Sequence, residues 1–298
     1  MPTVRVSQTS TPKVPPRVHP LTRFPSAKLF YSRGSDRETC QIWDLGNGQL
    51  YKFRPHKRGV YESDIHTLIQ RATTIPIPTI YREWVSSDGG GRYVHHMIMQ
   101  KVRGEPLYQV WTHLNGSEKE RLVTQFANYL DQLRRVRSSA IRSFEGGPIY
   151  DEHGFLFYQR NAAHGPFSDN QSLFLALTSH LRQNQSPEMR RALNKLRSIM
   201  PNSLPSVLTH ADLHQGNIMV HNGNIAAIID WEGAGFFPSW MEFVRYYPAS
   251  NSRQLEFENA VVRRMDPHPE ARRFKMILDA LGSSERRTVD WGFRKLGC

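Results

Sequence analysis

Thr209-His-Ala-Asp-Leu-His-Gln-Gly-Asn-Ile-Met-Val220, followed after a turn by Ile228-Ile-Asp-Trp-Glu232, is the stretch from which the rest of the chain can be read. Asp212 stands five residues before Asn217, and Asp230 comes directly after a run of β-branched and small apolar residues. Ile218-Met-Val220 and Ile225-Ala-Ala-Ile-Ile229 flank His221-Asn-Gly-Asn224, so the spacing predicts a short hairpin with polar residues at its ends. A hard divalent cation such as magnesium takes oxygen ligands in near-octahedral geometry and commonly shares them with phosphate. Asn217 offers an amide oxygen and Asp230 a carboxylate for that purpose. Asp212 is suited to accept a hydrogen bond from a hydroxyl attacking a phosphoryl group, a reaction that needs positioning and charge neutralisation above all. Singly, an aspartate or asparagine on a turn is usually a cap or a solvated residue. The ordered combination is far rarer than its parts.

The bulk properties leave room for such chemistry. A chain of 298 residues can build a substantial core and divide into two lobes without disulfide staples. Its two cysteines, Cys40 and Cys298, give neither a disulfide framework nor a zinc spacing, which fits a reducing, cytoplasmic setting. No apolar run approaches the eighteen residues of a membrane span, so no membrane partner is expected. Basic residues exceed acidic ones by 12, an excess that attracts anions in general. They are scattered and form no recognised nucleic-acid motif, so nucleic acid is not the expected partner. The first acidic residue is Asp36, a pattern shared with organellar targeting peptides, but six prolines by position 25 oppose the amphipathic helix such peptides use. Residues 1–20 are therefore expected to be a Pro-rich arm.

Beyond the arm, Thr39–Asp44 and Gln49–Phe53 flank Leu45-Gly-Asn-Gly48 and predict a hairpin. A helix is expected over Tyr61–Gln70, and a strand over Arg92–Met99 despite the two histidines that disturb its alternation. Gly104 and Pro106 mark a hinge, after which helices dominate. Ser117 with Glu120 has capping-box spacing, with Leu122, Phe126, Leu130 and Leu133 as the buried stripe. Ser186-Pro187 starts another helix, a less sharply defined one runs from Asp169 to Leu181, and two more follow at Leu255–Arg264 and Glu270–Leu281.

The motifs His210-Ala-Asp-Leu-His-Gln-Gly-Asn217 and Ile228-Ile-Asp-Trp-Glu232 resemble those of the aminoglycoside phosphotransferase and choline-kinase-like family, a branch of the protein-kinase-like fold. The resemblance implies an α+β, two-lobed fold with a small β-rich N-terminal lobe over 21–101 and a larger, mainly helical C-terminal lobe over 102–298. It implies Asp212 as catalytic base, Asn217 and Asp230 as magnesium ligands, and ATP with Mg2+ as cofactors. Upstream, Lys52 would grip the ATP phosphates, held by Glu62 ten residues later, with Asp64 competing for that place. Met97 to Val102 resembles the adenine-facing hinge, which puts Met99, Lys101 and Val102 beside the nucleotide. The phosphate-covering loop is degenerate: Gly34-Ser-Asp-Arg37 has one glycine, and Ser35 is the candidate phosphate contact.

Ala211 departs from the glycine common at that place, a small restriction if the turn uses ordinary backbone angles. His210 is expected to brace the loop, and Trp231 to pack beneath the metal loop, with Glu232 either tuning charge there or contacting magnesium-bound water. Glu242, Glu256 and Glu258 are candidates for contacting a cationic acceptor, against the commoner solvated role. The reaction implied is transfer of the γ-phosphoryl group to a hydroxyl of a small-molecule acceptor. The rivals are a noncatalytic nucleotide-binding scaffold, a kinase-fold enzyme with another reaction, and, more remotely, a basic nucleic-acid binder.

Overall fold

The computed structural model describes residues 11–34, 39–56, 61–87, 90–151, 154–160, 162–246 and 252–298. The chain forms two compact units, one drawn from Met1–Arg71, Ile75–Glu105 and Ile218–Glu232, the other from Ala72–Thr74, Pro106–Asn217 and Gly233–Cys298. The first is rich in antiparallel sheet and the second is mostly helical, as in a two-lobed kinase-like fold.

The sheet unit is built on five antiparallel strands in the order Lys28–Arg33, Cys40–Asp44, Gln49–Pro55, Tyr93–Gln100, Ile80–Ser87. Alternation along the central strand decides what faces where. Tyr51 packs with Leu45 and Trp84, backed by Leu21, Phe24 and Phe53. Lys52 points the other way, opposite Ile42 on one neighbouring strand and the buried Met97 on the other. Residues of the arm run beside the outer strand, where Glu83 donates its backbone N–H to the Pro12 carbonyl at 3.1 Å.

The two histidines of strand Tyr93–Gln100 are each used, on opposite faces. His95 bonds Glu83 at 2.7 Å, and Glu83 in turn accepts the backbone N–H groups of Glu62 and Ser63, both at 2.8 Å. A buried carboxylate thus caps the first turn of helix Glu62–Ala72, where the helix dipole favours negative charge. His96 lies between the Tyr51 hydroxyl and the Ser86 hydroxyl, each 2.8 Å away, and stacks on Trp84 with ring centroids 4.9 Å apart. Burial, followed by the charges of His95 and His19, lowers the His96 imidazole to about 4.

That shift sets a pH dependence. With the folded-state value below the ordinary imidazole value, the stabilisation is complete above about pH 6.5 and is lost as pH falls towards 4, because the unfolded chain binds the proton first. Lowering the pH from 7 to 5 is expected to remove about 2 kcal/mol from the stability of the sheet unit through this group. Urea melts of wild type and His96→Gln at the two pH values test it; an equal pH effect in both proteins would assign the loss to other groups.

The helical unit follows the sequence closely. Ser186 caps helix Pro187–Ser198 by accepting the Met189 N–H, and Asp169 caps Asn170–Leu177. Helix Gly116–Arg135 starts differently from the expectation. Asn115 is the N-cap and pairs reciprocally with Glu118, while the Ser117 hydroxyl bonds the Asn115 side chain. Asparagine is at least as good a cap as serine, so the box forms two residues earlier. One core cluster is made largely by the apolar faces of Asn170–Leu177, Pro187–Ser198 and Pro269–Leu281, with Leu173, Ala192, Leu196, Ala271 and Phe274 fully enclosed.

No helix among the described residues is long and apolar enough to cross a membrane.

Candidate active site

In the sheet unit, hairpin Ile218–His221 and Asn224–Ile228 turns through Asn222 and Gly223, both with positive φ (49° and 70°), as the mirror-image two-residue turn requires. The second strand is tied down by the Ile228 N–H, which donates to the Pro76 carbonyl at 2.8 Å. It delivers Asp230 at φ 67°, a left-handed conformation that aspartate tolerates better than most residues. Trp231 is fully buried, donating its indole N–H to the Ile228 carbonyl and its backbone N–H to Glu62 Oε1 at 3.0 Å. Gly104 packs so tightly here that a methyl group on it would overlap the Val220 carbonyl oxygen.

Lys52 meets this loop. Its ammonium donates to Asp230 Oδ1 at 2.5 Å and to Glu232 Oε2 at 3.3 Å. Arg54, two residues along the same strand and therefore on the same face, approaches Glu232 with Nε at 2.6 Å from Oε2. Glu62 influences Lys52 through its charge, while its Oε1 is engaged with the Trp231 N–H. Asp64, its competitor in the sequence, pairs instead with Lys13.

The ionisation pattern follows from crowding three carboxylates around two cations. Burial opposes the Lys52 charge, but Asp230, Glu232 and Glu62 outweigh it and hold the ammonium well above its ordinary value. Glu62 is pushed up by burial yet ends below the usual carboxylate range because of Lys52 and His66. Glu232 is likewise lowered by Lys52 and Arg54 against the effect of burial. Asp230 is raised, because burial, helped by the like charges of Glu232 and Glu62, outweighs the opposing effect of Lys52.

One negative charge in this group is left over. Ligand atoms of Glu62, Asp230 and Glu232 lie within 4.8 Å of one another, and Glu62 Oε2 is buried with no hydrogen-bond partner. An all-oxygen donor set with surplus negative charge fits a hard divalent cation such as magnesium.

In the helical unit, strand Ser206–Thr209 leads into the motif His210–Asn217. His210 is fully buried and accepts the Asp212 N–H at its Nδ1, a brace across the turn. Ala211 between them has φ 67°, so the turn does demand the left-handed conformation, contrary to the ordinary angles under which alanine would be unstrained. Asn217 donates its amide to the Asp212 carbonyl at 2.8 Å and approaches Asp212 Oδ2 at 3.4 Å. His214 accepts the Gly216 N–H at Nδ1, which places its ring proton on Nε2, 3.7 Å from Asp212 Oδ2. Arg245 donates from Nη2 to Asp212 Oδ1 at 2.9 Å.

Glu242 does not lie at the surface. It is buried, accepts the His210 backbone N–H and is pushed up by burial against the charges of Arg134 and Arg245. Glu258 is also buried, and Glu256 is occupied by the Trp111 indole N–H and by Lys119.

Replacing Ala211 by glycine removes the strain at the cost of one buried methyl and some unfolded-state entropy. Ala211→Gly is expected to stabilise the protein by about 0.5 kcal/mol, or 1–2 °C in Tm, with the hydrogen bond at Asp212 kept. Thermal melts check this, and a lowered Tm would contradict the strain.

The hinge candidates lie at the end of the sheet. Met99 pairs with Leu50 and Ile80; Lys101 donates its backbone N–H to Gly48 and its ammonium to Asp44 Oδ2, and Val102 follows. Ser35 falls outside the described residues. The roles of Arg54 and Arg245 were not read from the sequence. Arg54 was accessible through strand alternation from Lys52, whereas nothing local marks Arg245.

The profile of the phosphotransferase enzyme family matches residues 62–274. No curated protein matches the chain. Among solved structures, a thermostable mutant of aminoglycoside phosphotransferase APH(4)-Ia in ternary complex with ADP and hygromycin B is similar at 16% identity and a TM-score of 0.55, covering 93% of this chain and 95% of that one. The streptomycin–ATP ternary complex of APH(2")-IIa is similar at 16% identity and a TM-score of 0.54, covering 93% of each chain. ADP-bound APH(2'')-Ib follows at 15% identity and 0.52, covering 91% of each. At these identities the likeness establishes the fold.

Proposed function

The chain belongs to the phosphotransferase enzyme family, and from that premise we propose that it moves the γ-phosphoryl group of ATP to a hydroxyl of a small molecule, with magnesium as the metal. The observation that carries this is the bonding of buried Lys52 to Asp230 and Glu232, with Glu62 alongside. A strand lysine, a helix glutamate and an aspartate at a strand end, 178 residues from the lysine, meet in one cluster. Such a set suits triphosphate and metal together.

Lys52 holds the phosphates, and Asp230 holds the metal with Asn217; the surplus charge in the group leaves Glu232 and Glu62 able to balance it. When bound, magnesium neutralises phosphate charge and orients the transferring group. Met99, Lys101 and Val102 face the adenine. Asp212 orients the attacking hydroxyl and takes its proton, and His210 and Asn217 hold the loop that carries it. The acceptor is a small metabolite rather than a protein, because helix Met241–Arg245 follows Asp230 too closely for a long substrate-binding segment.

The test is to incubate the purified protein with Mg-ATP and a panel of hydroxyl-bearing metabolites, amino alcohols, sugars and aminoglycosides, and to follow products by mass spectrometry. A product heavier by one phosphoryl group supports the proposal. ATP consumed with a different group transferred would replace it with another reaction of the same fold.

A further inference from the structure

Arg245 is 8% exposed at its side chain and donates from Nη2 to one oxygen of the Asp212 carboxylate, Oδ1, at 2.9 Å. The other oxygen, Oδ2, faces Asn217 Nδ2 at 3.4 Å and His214 Nε2 at 3.7 Å. The guanidinium is itself held in place. Its central carbon sits 4.4 Å from the centroid of the Phe155 ring, a cation–π distance. Phe155 belongs to a loop pinned by buried Asp151, which accepts the N–H groups of Phe155, Leu156 and Phe157 at 2.9, 2.6 and 2.9 Å.

A buried guanidinium is costly unless it is paired with negative charge. Asp212 is its ion-pair partner, and the buried Glu242 carboxylate, which receives the His210 N–H, feels the charge of Arg245 as well. Arg245 Nη1 and Glu242 Oε1 are both buried without a hydrogen-bond partner. The arginine therefore ties the short helix Met241–Arg245, the Asp151 loop and the catalytic-loop motif to a single carboxylate oxygen.

We propose that Arg245 is the positioning residue for the Asp212 carboxylate, fixing Oδ1 so that Oδ2 is the oxygen presented to the acceptor hydroxyl. This rests on the assignment of Asp212 as the base. An aspartate has two side-chain torsions, and a carboxylate free to swing would spend much of its time with the wrong oxygen or the wrong lone pair towards the hydroxyl. A displacement near 1 Å is enough to cost about 10²-fold in rate. In the proposed function the nucleotide is held by Lys52, the metal ligands and the hinge rather than by this contact, so the loss belongs in kcat.

ATP turnover is measured as ADP release with saturating acceptor for wild type, Arg245→Met, Arg245→Lys, Asp212→Asn and the double variant Arg245→Met/Asp212→Asn. Methionine keeps most of the volume and lysine keeps the charge with fewer geometric constraints. Arg245→Met is expected to lower kcat by about 30- to 100-fold with KM for ATP within twofold, and Arg245→Lys to recover part of the loss. In the Asp212→Asn background the same substitution should change kcat by less than about twofold, because the group it positions no longer acts. Wild-type kcat in Arg245→Met, or the same fold loss in both backgrounds, would overturn the proposal while leaving the phosphotransferase assignment standing. If Arg245→Met does not fold, the comparison is made with Arg245→Lys, and full wild-type kcat there has the same consequence. A wild-type protein that turns over no ATP with any acceptor removes the assignment and this proposal together.

Discussion

Asp212→Asn should lower kcat by about 10²–10⁴-fold and leave ATP affinity within about twofold, the range expected when a positioned general base is lost. The substitution keeps the shape of the side chain, the Asp212 N–H to His210 Nδ1 and the Asn217 bond to the Asp212 carbonyl, since both of those use the backbone of residue 212. It removes the negative charge that faces Arg245 and leaves an amide that can accept at one atom only. Phosphoryl transfer has a loose transition state, so the base contributes through orientation of the hydroxyl and late uptake of its proton. Calorimetry with ADP or a non-hydrolysable ATP analogue separates binding from turnover. A variant that keeps wild-type kcat would place the base elsewhere.

Asp230→Asn is expected to reduce magnesium-dependent turnover by about 10³-fold and to weaken nucleotide binding in the presence of the metal. Folding should survive. Asparagine tolerates the left-handed backbone at φ 67°, and removing one of three carboxylates leaves two negative charges facing Lys52 and Arg54. Stability should therefore change by no more than about 1 kcal/mol, with the direction favourable if the surplus negative charge is costly in the absence of metal. Turnover against magnesium concentration, paired with a thermal melt, distinguishes the two effects. Unchanged activity would remove Asp230 from the metal site, and loss of activity accompanied by unfolding would make it a structural residue.

Parts of this site could be read from local sequence because they are local in the chain. Asp212, Asn217 and the hairpin that delivers Asp230 all fall within a short stretch whose β-rich runs and Asn-Gly turn leave few alternatives. The helix start at Ser186 was equally legible, since caps are short-range devices, whereas the helix from Asp169 was less sharply marked. What was hidden depends on contacts far apart in sequence. Periodicity places Lys52 on a strand but gives no hint that its partner lies 178 residues away. Burial of Glu242 was concealed because a glutamate in a helix pattern reads as solvated until the cations around it, Arg134 and Arg245, are known. The strained angle of Ala211 was out of reach for a different reason: the glycine preference pointed to it, but only the backbone path between His210 and Asp212 decides the sign of φ.

Magnesium-dependent transfer of ATP's γ-phosphoryl group to a hydroxyl is the reaction proposed for this chain. Phosphorus-31 NMR of the wild-type protein with Mg-ATP and an acceptor tests it most directly. The expected result is loss of the γ resonance in step with growth of a phosphomonoester resonance, abolished by chelating the magnesium. A phosphomonoester that forms at the same rate without magnesium, or ATP that remains intact with every acceptor, would contradict it.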